Sequence, residues 1–409
     1  MIRKIGVLFF LFLSLQSRAQ NLGFTLPPGQ HKVAIPIEIN NNLVVVPVVL
    51  NEALPLKFII DTGVRTAILT QKTFADILNL PYTRKYTIAG PGATKSIEAF
   101  ITTNVTLRLP GVLGRGHALL VLAEDYLELR NYLGTDVHGV LGYELFSRFI
   151  VDIDYERKLM TLRTPEKFKK RSKFHTLPMT VEDTKPYIKT SVVMKDGKKI
   201  SVKLLVDSGA SHSLLLDPNS SDEIQVPENT VSSTIGRGLG GEITGKVGRI
   251  SSLNIGTYSV DKPLANFPDP NSYVDTLKMS SVYRNGSLGG EMLSRFHVIF
   301  NFPKEELYVK KNSYFRKKFH YNLSGVIVKA KGSRLDVFEV QEIREKSPSD
   351  VCGLLPGDII LKLNGLETKQ LTLNLINGLL NSKPGKKIRL EIERNGQRVK
   401  KEFLLADQI

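Results

Sequence analysis

Asp61-Thr62-Gly63 and Asp207-Ser208-Gly209 each close an apolar run, Phe58-Ile59-Ile60 in one case and Leu204-Leu205-Val206 in the other. A carboxylate at the end of a buried run is costly to place unless its charge is used or compensated. The two aspartates lie 146 positions apart, and further apolar residues follow each, Ile68-Leu69 and Leu214-Leu215-Leu216. Matched settings of this kind point to two carboxylates brought face to face. Carboxyl groups a few ångströms apart do not both ionise, so such a pair holds one proton over a wide pH range. One member can then take a proton while the other gives one, which is acid–base chemistry on a single bound molecule.

The elements that must position the pair repeat as well. Leu141-Gly142-Tyr143-Glu144-Leu145-Phe146-Ser147-Arg148-Phe149 matches Leu288-Gly289-Gly290-Glu291-Met292-Leu293-Ser294-Arg295-Phe296 in the same register to within one residue. A glycine-rich stretch, Gly90-Pro91-Gly92, matches Gly236-Arg237-Gly238. Three landmarks in one register define a duplicated unit, with lobes expected at residues 30–165 and 175–312. Leu43 to Val49, Ile188 to Val193 and Val202 to Val206 read as short strands separated by turn residues. Helix signals are few, at Thr73 to Leu78 and Tyr143 to Phe149. The fold class is mainly β. Both glycine-rich tips are candidate flaps, with plain hairpins as the alternative.

After a basic-aromatic connector at 313–322 the chain changes character. Ser347-Pro348 reads as a helix start, Asn364-Gly365 and Asn395-Gly396 as tight hairpin turns, and Thr372 to Leu380 as a helix with one apolar face. This third unit is expected over 323–405.

The chain has 409 residues and is 42% hydrophobic, enough for two or three domains with proper cores. Met1 to Ala19 combines a basic start, a short apolar run and small residues before Gln20, which reads as a cleaved signal peptide and predicts a secreted or periplasmic protein. An uncleaved anchor is the alternative. No later run is long enough to span a membrane. Cys352 is the only cysteine, so stability must come from the core. The formal charge of +16 comes from scattered residues without a nucleic-acid motif, and the dense run Lys167 to Lys173 reads as a solvated linker. The seven histidines (His31, His117, His138, His175, His212, His297, His320) show no metal-ligand spacing. Neither a metal nor a cofactor is expected.

The paired Asp-Thr/Ser-Gly motifs, with Val140-Leu141-Gly142 and Ser287-Leu288-Gly289 downstream, resemble the aspartic proteases. The two-lobed single chain looks like pepsin, and each compact lobe looks like a retroviral protease subunit. Lys346 to Gly365 resembles a bacterial-type PDZ domain, with Cys352 where an alanine is usual. Together these resemble the bacterial secreted aspartyl proteases with a PDZ domain. The resemblance implies a duplicated acid-protease β-barrel fold followed by a β-sandwich with two helices. It implies Asp61 and Asp207 as catalytic groups that activate a water for peptide hydrolysis, within a site that one chain completes. Thr62 and Ser208 would then hold the two loops rigid, and Gly63 and Gly209 would leave room for substrate. Peptide or protein substrates are implied, and a C-terminal peptide ligand in a PDZ groove lined by Arg334, Leu335, Val337, Leu373 and Ile376. That groove would use the strand Asp336 to Ile343 and the helix Leu371 to Leu380. Val64 and Ala210 depart from pepsin, which carries Ser or Thr there, and Arg65 stands in the first repeat where Ser211 stands in the second, which makes the surroundings of the pair asymmetric. One flap, as in pepsin, or two, as in retroviral dimers, fits equally. A catalytically inactive peptide-binding protein or PDZ adaptor is the competing function.

Overall fold

The computed structural model describes residues 22–88, 97–270 and 282–409. The expected signal segment and the Gly90-Pro91-Gly92 tip lie outside them. Each repeat folds into its own sheet, nine-stranded in lobe 1 and ten-stranded in lobe 2. The first strand of lobe 1, Gly23–Thr25, pairs with Val112–Leu122, so that lobe begins before residue 30. The helix signals give Lys72–Ile77, shifted by one residue, and the shorter Tyr143–Phe146.

A six-stranded sheet joins the lobes. Lobe 2 supplies His175–Pro178, Glu306–Lys311 and Phe296–Asn301, and lobe 1 supplies Ile150–Asp154, Leu159–Arg163 and Lys32–Pro36. The central pair is antiparallel, with Val151 opposite Phe300 and Asp154 opposite His297. Apolar residues of both lobes and this sheet form one continuous core. Phe146 of lobe 1 meets Phe300 and Phe302 of lobe 2 with ring centroids 5.3 and 5.2 Å apart, inside the range where aromatic pairs attract. Because the core crosses the lobe boundary, the two halves are held as one rigid support.

The C-terminal unit has a separate core and a six-stranded sheet with two helices, Pro348–Val351 and Leu373–Leu380. Ser347 and Thr372 cap these helices by accepting from the backbone of Asp350 and Leu375. The expected groove strand requires correction. Val337–Ile343 bonds Val326–Lys331 on one side and Ile359–Leu363 on the other, so it has no edge to offer. The open edge beside the helix is Val326–Lys331. Arg334 and Leu335 sit in the turn that follows this strand, where Arg334 is 82% exposed and pairs with Asp336. Leu373 and Ile376 do face the edge strand, but as buried core.

Candidate active site

Asp61 and Asp207 sit at the ends of equivalent strands, Leu54–Ile60 and Lys199–Val206. Behind each runs a short parallel strand, Gly139–Leu141 or Gly286–Leu288, whose last carbonyl accepts from the aspartate N–H (Leu141 at 2.9 Å, Leu288 at 2.8 Å). Gly142 and Gly289 follow these strands for a steric reason. A Cβ on Gly142 would fall 2.1 Å from the Val64 carbonyl oxygen, and one on Gly289 would fall 2.2 Å from that of His212. The downstream motif is therefore the wedge that fixes each aspartate loop.

The two loops lock through their hydroxyl residues. Thr62 Oγ1 donates to the Val206 carbonyl at 2.6 Å and accepts from the Ser208 N–H at 3.0 Å. Ser208 Oγ donates to the Ile60 carbonyl at 2.9 Å and accepts from the Thr62 N–H at 3.1 Å. Both side chains are 0% exposed, so each of the four bonds satisfies groups that water cannot reach. Each is worth about 1 kcal/mol net, and more is lost if one partner is removed and the other stays buried.

This lock brings the carboxyl groups to one place: a Cβ on Gly63 would fall 3.1 Å from Asp61 Oδ1 and 3.6 Å from Asp207 Oδ1. Each aspartate also accepts from the N–H two residues on, Gly63 at 2.6 Å and Gly209 at 3.0 Å. A Cβ on Gly209 would fall 2.2 Å from Asp61 Oδ2, so a side chain there would displace the carboxyl group. Burial first, and then the Asp207 charge, push the Asp61 carboxyl up to about 8, against smaller pulls from the Gly63 N–H and Lys185. The raised Asp61 carboxyl lets the pair keep one proton into the neutral range.

Sequence reasoning missed Lys185, whose charge acts on Asp61, and His212. Burial pushes His212 down, and its ring bonds Ser287 Oγ at 2.9 Å close to Asp207. Arg65 is 72% exposed and lies 3.8 Å from Asp183. Gly236 and Gly238 lie on a hairpin, Thr230–Gly238 with Gly241–Arg249, that extends from lobe 2 toward lobe 1. Its tip residue Leu239 packs in the same apolar cluster as Val64, three positions after Asp61.

Comparison with known families follows this geometry. The aspartyl protease family matches residues 46–145 and again 191–291, and the PDZ domain family matches 323–404. The chain carries two aspartyl protease segments and a C-terminal PDZ domain. Each protease segment spans one aspartate loop and its wedge, so the duplication read from the sequence is the duplication of this family's unit. Comparison with curated proteins gave no match. Among the described residues no helix is long and apolar enough to cross a membrane, and no cluster of potential metal ligands is found.

Proposed function

We propose that the chain is an aspartic endopeptidase that hydrolyses peptide bonds with Asp61 and Asp207. The supporting observation is the convergence of the two carboxyl groups beside Gly63 at the heads of mutually locked loops. With Asp61 protonated, Asp207 takes a proton from a water between them, and the resulting hydroxide attacks the peptide carbonyl. Asp61 donates to the developing oxyanion, and proton return to the amine leaving group completes the cleavage. Each lobe contributes one carboxyl group, so on this reading a monomer is competent. The PDZ domain marks the chain for peptide binding, here proposed to recruit or regulate substrate. The Met1 to Ala19 segment supports export, which N-terminal sequencing of the exported protein would test. Activity is tested by incubating the full chain with a mixed peptide library beside Asp61→Asn and Asp207→Asn. Cleavage by the wild type alone supports the reading. No cleavage by any form would favour a peptide-binding role.

A further inference from the structure

Strand Val326–Lys331 bonds the rest of the PDZ sheet on one side only, with helix Leu373–Leu380 beside it. An edge of this kind is where an extended peptide adds as a further strand. Lobe 1 already covers it. Helix Leu129–Leu133 lies against the strand, and the Asn131 side-chain amide donates to the Ala330 carbonyl at 2.8 Å. That bond takes an edge acceptor that an incoming strand's N–H would use. Arg130 donates to the Ser333 carbonyl just beyond the strand. At Gly134 a Cβ would fall 2.4 Å from Leu373 Cβ, so the segment presses directly on the helix wall. Lys329, on the edge strand and only 7% exposed, bonds Glu128 at 2.6 Å. Glu128 itself is held at φ 46 and ψ 35, a left-handed conformation uncommon for glutamate. Observed strain of this kind points to a site that other contacts over-determine.

The same short segment holds the lobe 2 hairpin. Arg237 donates to the Tyr132 hydroxyl at 2.8 Å, to Glu128 at 3.4 Å and to the Tyr126 carbonyl at 3.4 Å. Its guanidinium lies 5.2 Å from the Tyr132 ring centroid, and the Lys329 ammonium lies 4.5 Å from it. Glu128 and Tyr132 are thus shared between the PDZ edge and the hairpin whose tip packs on the same apolar cluster as Val64. Whatever takes the edge must displace both residues, and Arg237 then keeps the Tyr126 carbonyl and, at 3.3 Å, Glu242 of its own hairpin.

We propose that residues 128–134 occupy the PDZ peptide edge in cis, and that an extended peptide displacing them frees the Arg237 hairpin. The displacing peptide needs an acidic side chain for buried Lys329 and an apolar one for the Leu373 wall. A ligand that binds only the released state shifts the equilibrium toward it. The consequence for catalysis rests on the endopeptidase reading, whereas the latch does not.

The test uses the full chain in an Asp61→Asn background, so that neither readout involves hydrolysis and a failed endopeptidase reading cannot mask the result. In the double variant Glu128→Ala/Asn131→Ala, amide exchange across 230–249 should accelerate by about tenfold or more, while Lys199–Val206 stays protected. A labelled peptide of residues 126–134 should bind this variant at least about tenfold more tightly than the parent, because the edge is vacated. Lys329→Met removes the same ion pair from the PDZ side, should loosen the hairpin likewise, and decides the matter if the double variant does not fold. Unchanged hairpin exchange, or unchanged peptide affinity in the folded double variant, would overturn the proposal.

Discussion

In lobe 1 the turn Asn41-Asn42 reaches across the cleft, where Asn42 donates to the Ser211 carbonyl at 3.2 Å; in lobe 2 the turn Asp183-Thr184 reaches back and Asp183 meets Arg65 at 3.8 Å. All four turn residues are left-handed, with φ of 48, 66, 46 and 68. The duplicated backbone has kept its turn while the side chains have diverged. The next residue is Leu43 in one lobe and Lys185 in the other, and the Lys185 charge is felt at Asp61. The repeated glutamates differ too: Glu144 contacts His117, whereas Glu291 faces Arg295 at 3.7 Å and burial pushes it up to about 7. By contrast the Thr62–Ser208 lock is reciprocal bond for bond. Groups that fix carboxyl geometry tolerate no drift, and groups that tune the surrounding field have drifted freely.

The largest test of this contrast removes one acid at a time. Asp61→Asn and Asp207→Asn should each lower peptide hydrolysis by about a thousandfold or more, since the proton donor and acceptor roles are both needed. Circular dichroism should show the fold retained. Equal residual activity in the two variants would confirm a shared site, and survival of activity in either would break it. The lock comes next. Thr62→Val and Ser208→Ala should each cost about 1–3 kcal/mol in denaturant unfolding, by stranding buried backbone partners. The double variant should cost less than the sum, because the same bonds are lost twice.

The dyad's asymmetry is tested by pH. A carboxyl group raised in the folded state keeps its proton after the unfolded chain has lost it. Between the ordinary carboxylate range and about 8 the native state therefore binds more protons, and stability falls as pH rises through that window. Glu291 adds the same sign up to about 7. Asp61→Asn, which cannot titrate, should therefore gain stability relative to the wild type as pH is raised toward 8 in parallel thermal melts. Activity should fall on the alkaline side near the same point, as Asp61 loses the proton it must donate. Lys185→Met removes a cation that favours ionisation, so that alkaline limb should move upward by less than about one pH unit. A downward shift would mean Lys185 acts through something other than its charge. Smallest is Arg65→Ala. At 72% exposure its pair with Asp183 should be worth no more than about 0.5 kcal/mol and leave the pH profile unchanged.

The aspartates, their hydroxyl neighbours and the wedge glycines were legible because close approach of two loops dictates residue type locally. Asp-Thr/Ser-Gly leaves little choice when a Cβ on Gly209 would strike a carboxyl group. Turns such as Asn364-Gly365 were legible for the same reason, both residues being left-handed. Strand order was not. Val337–Ile343 and Val326–Lys331 carry similar β-branched patterns, and only long-range pairing decides which is interior. Lys185, Glu128 and Arg237 escaped notice on related grounds. Each is an unremarkable charge in its own neighbourhood and gains meaning from a partner on another unit.

The six-stranded sheet between the lobes bears on how the chain reaches its native state. Three strands come from each half, and the central ladder sets Val151 opposite Phe300 and Asp154 opposite His297, residues from opposite halves of the duplication. Contacts that distant close long loops before they return any stabilisation, which makes for slow, late steps. Each half can form its hairpins early, but the lock spans 146 positions and cannot close until the shared sheet aligns the halves. The carboxyl pair is therefore among the last features to be born. A folding intermediate would hold two ordinary, separated aspartates, and a protein of this design would acquire its dyad only once it is otherwise complete.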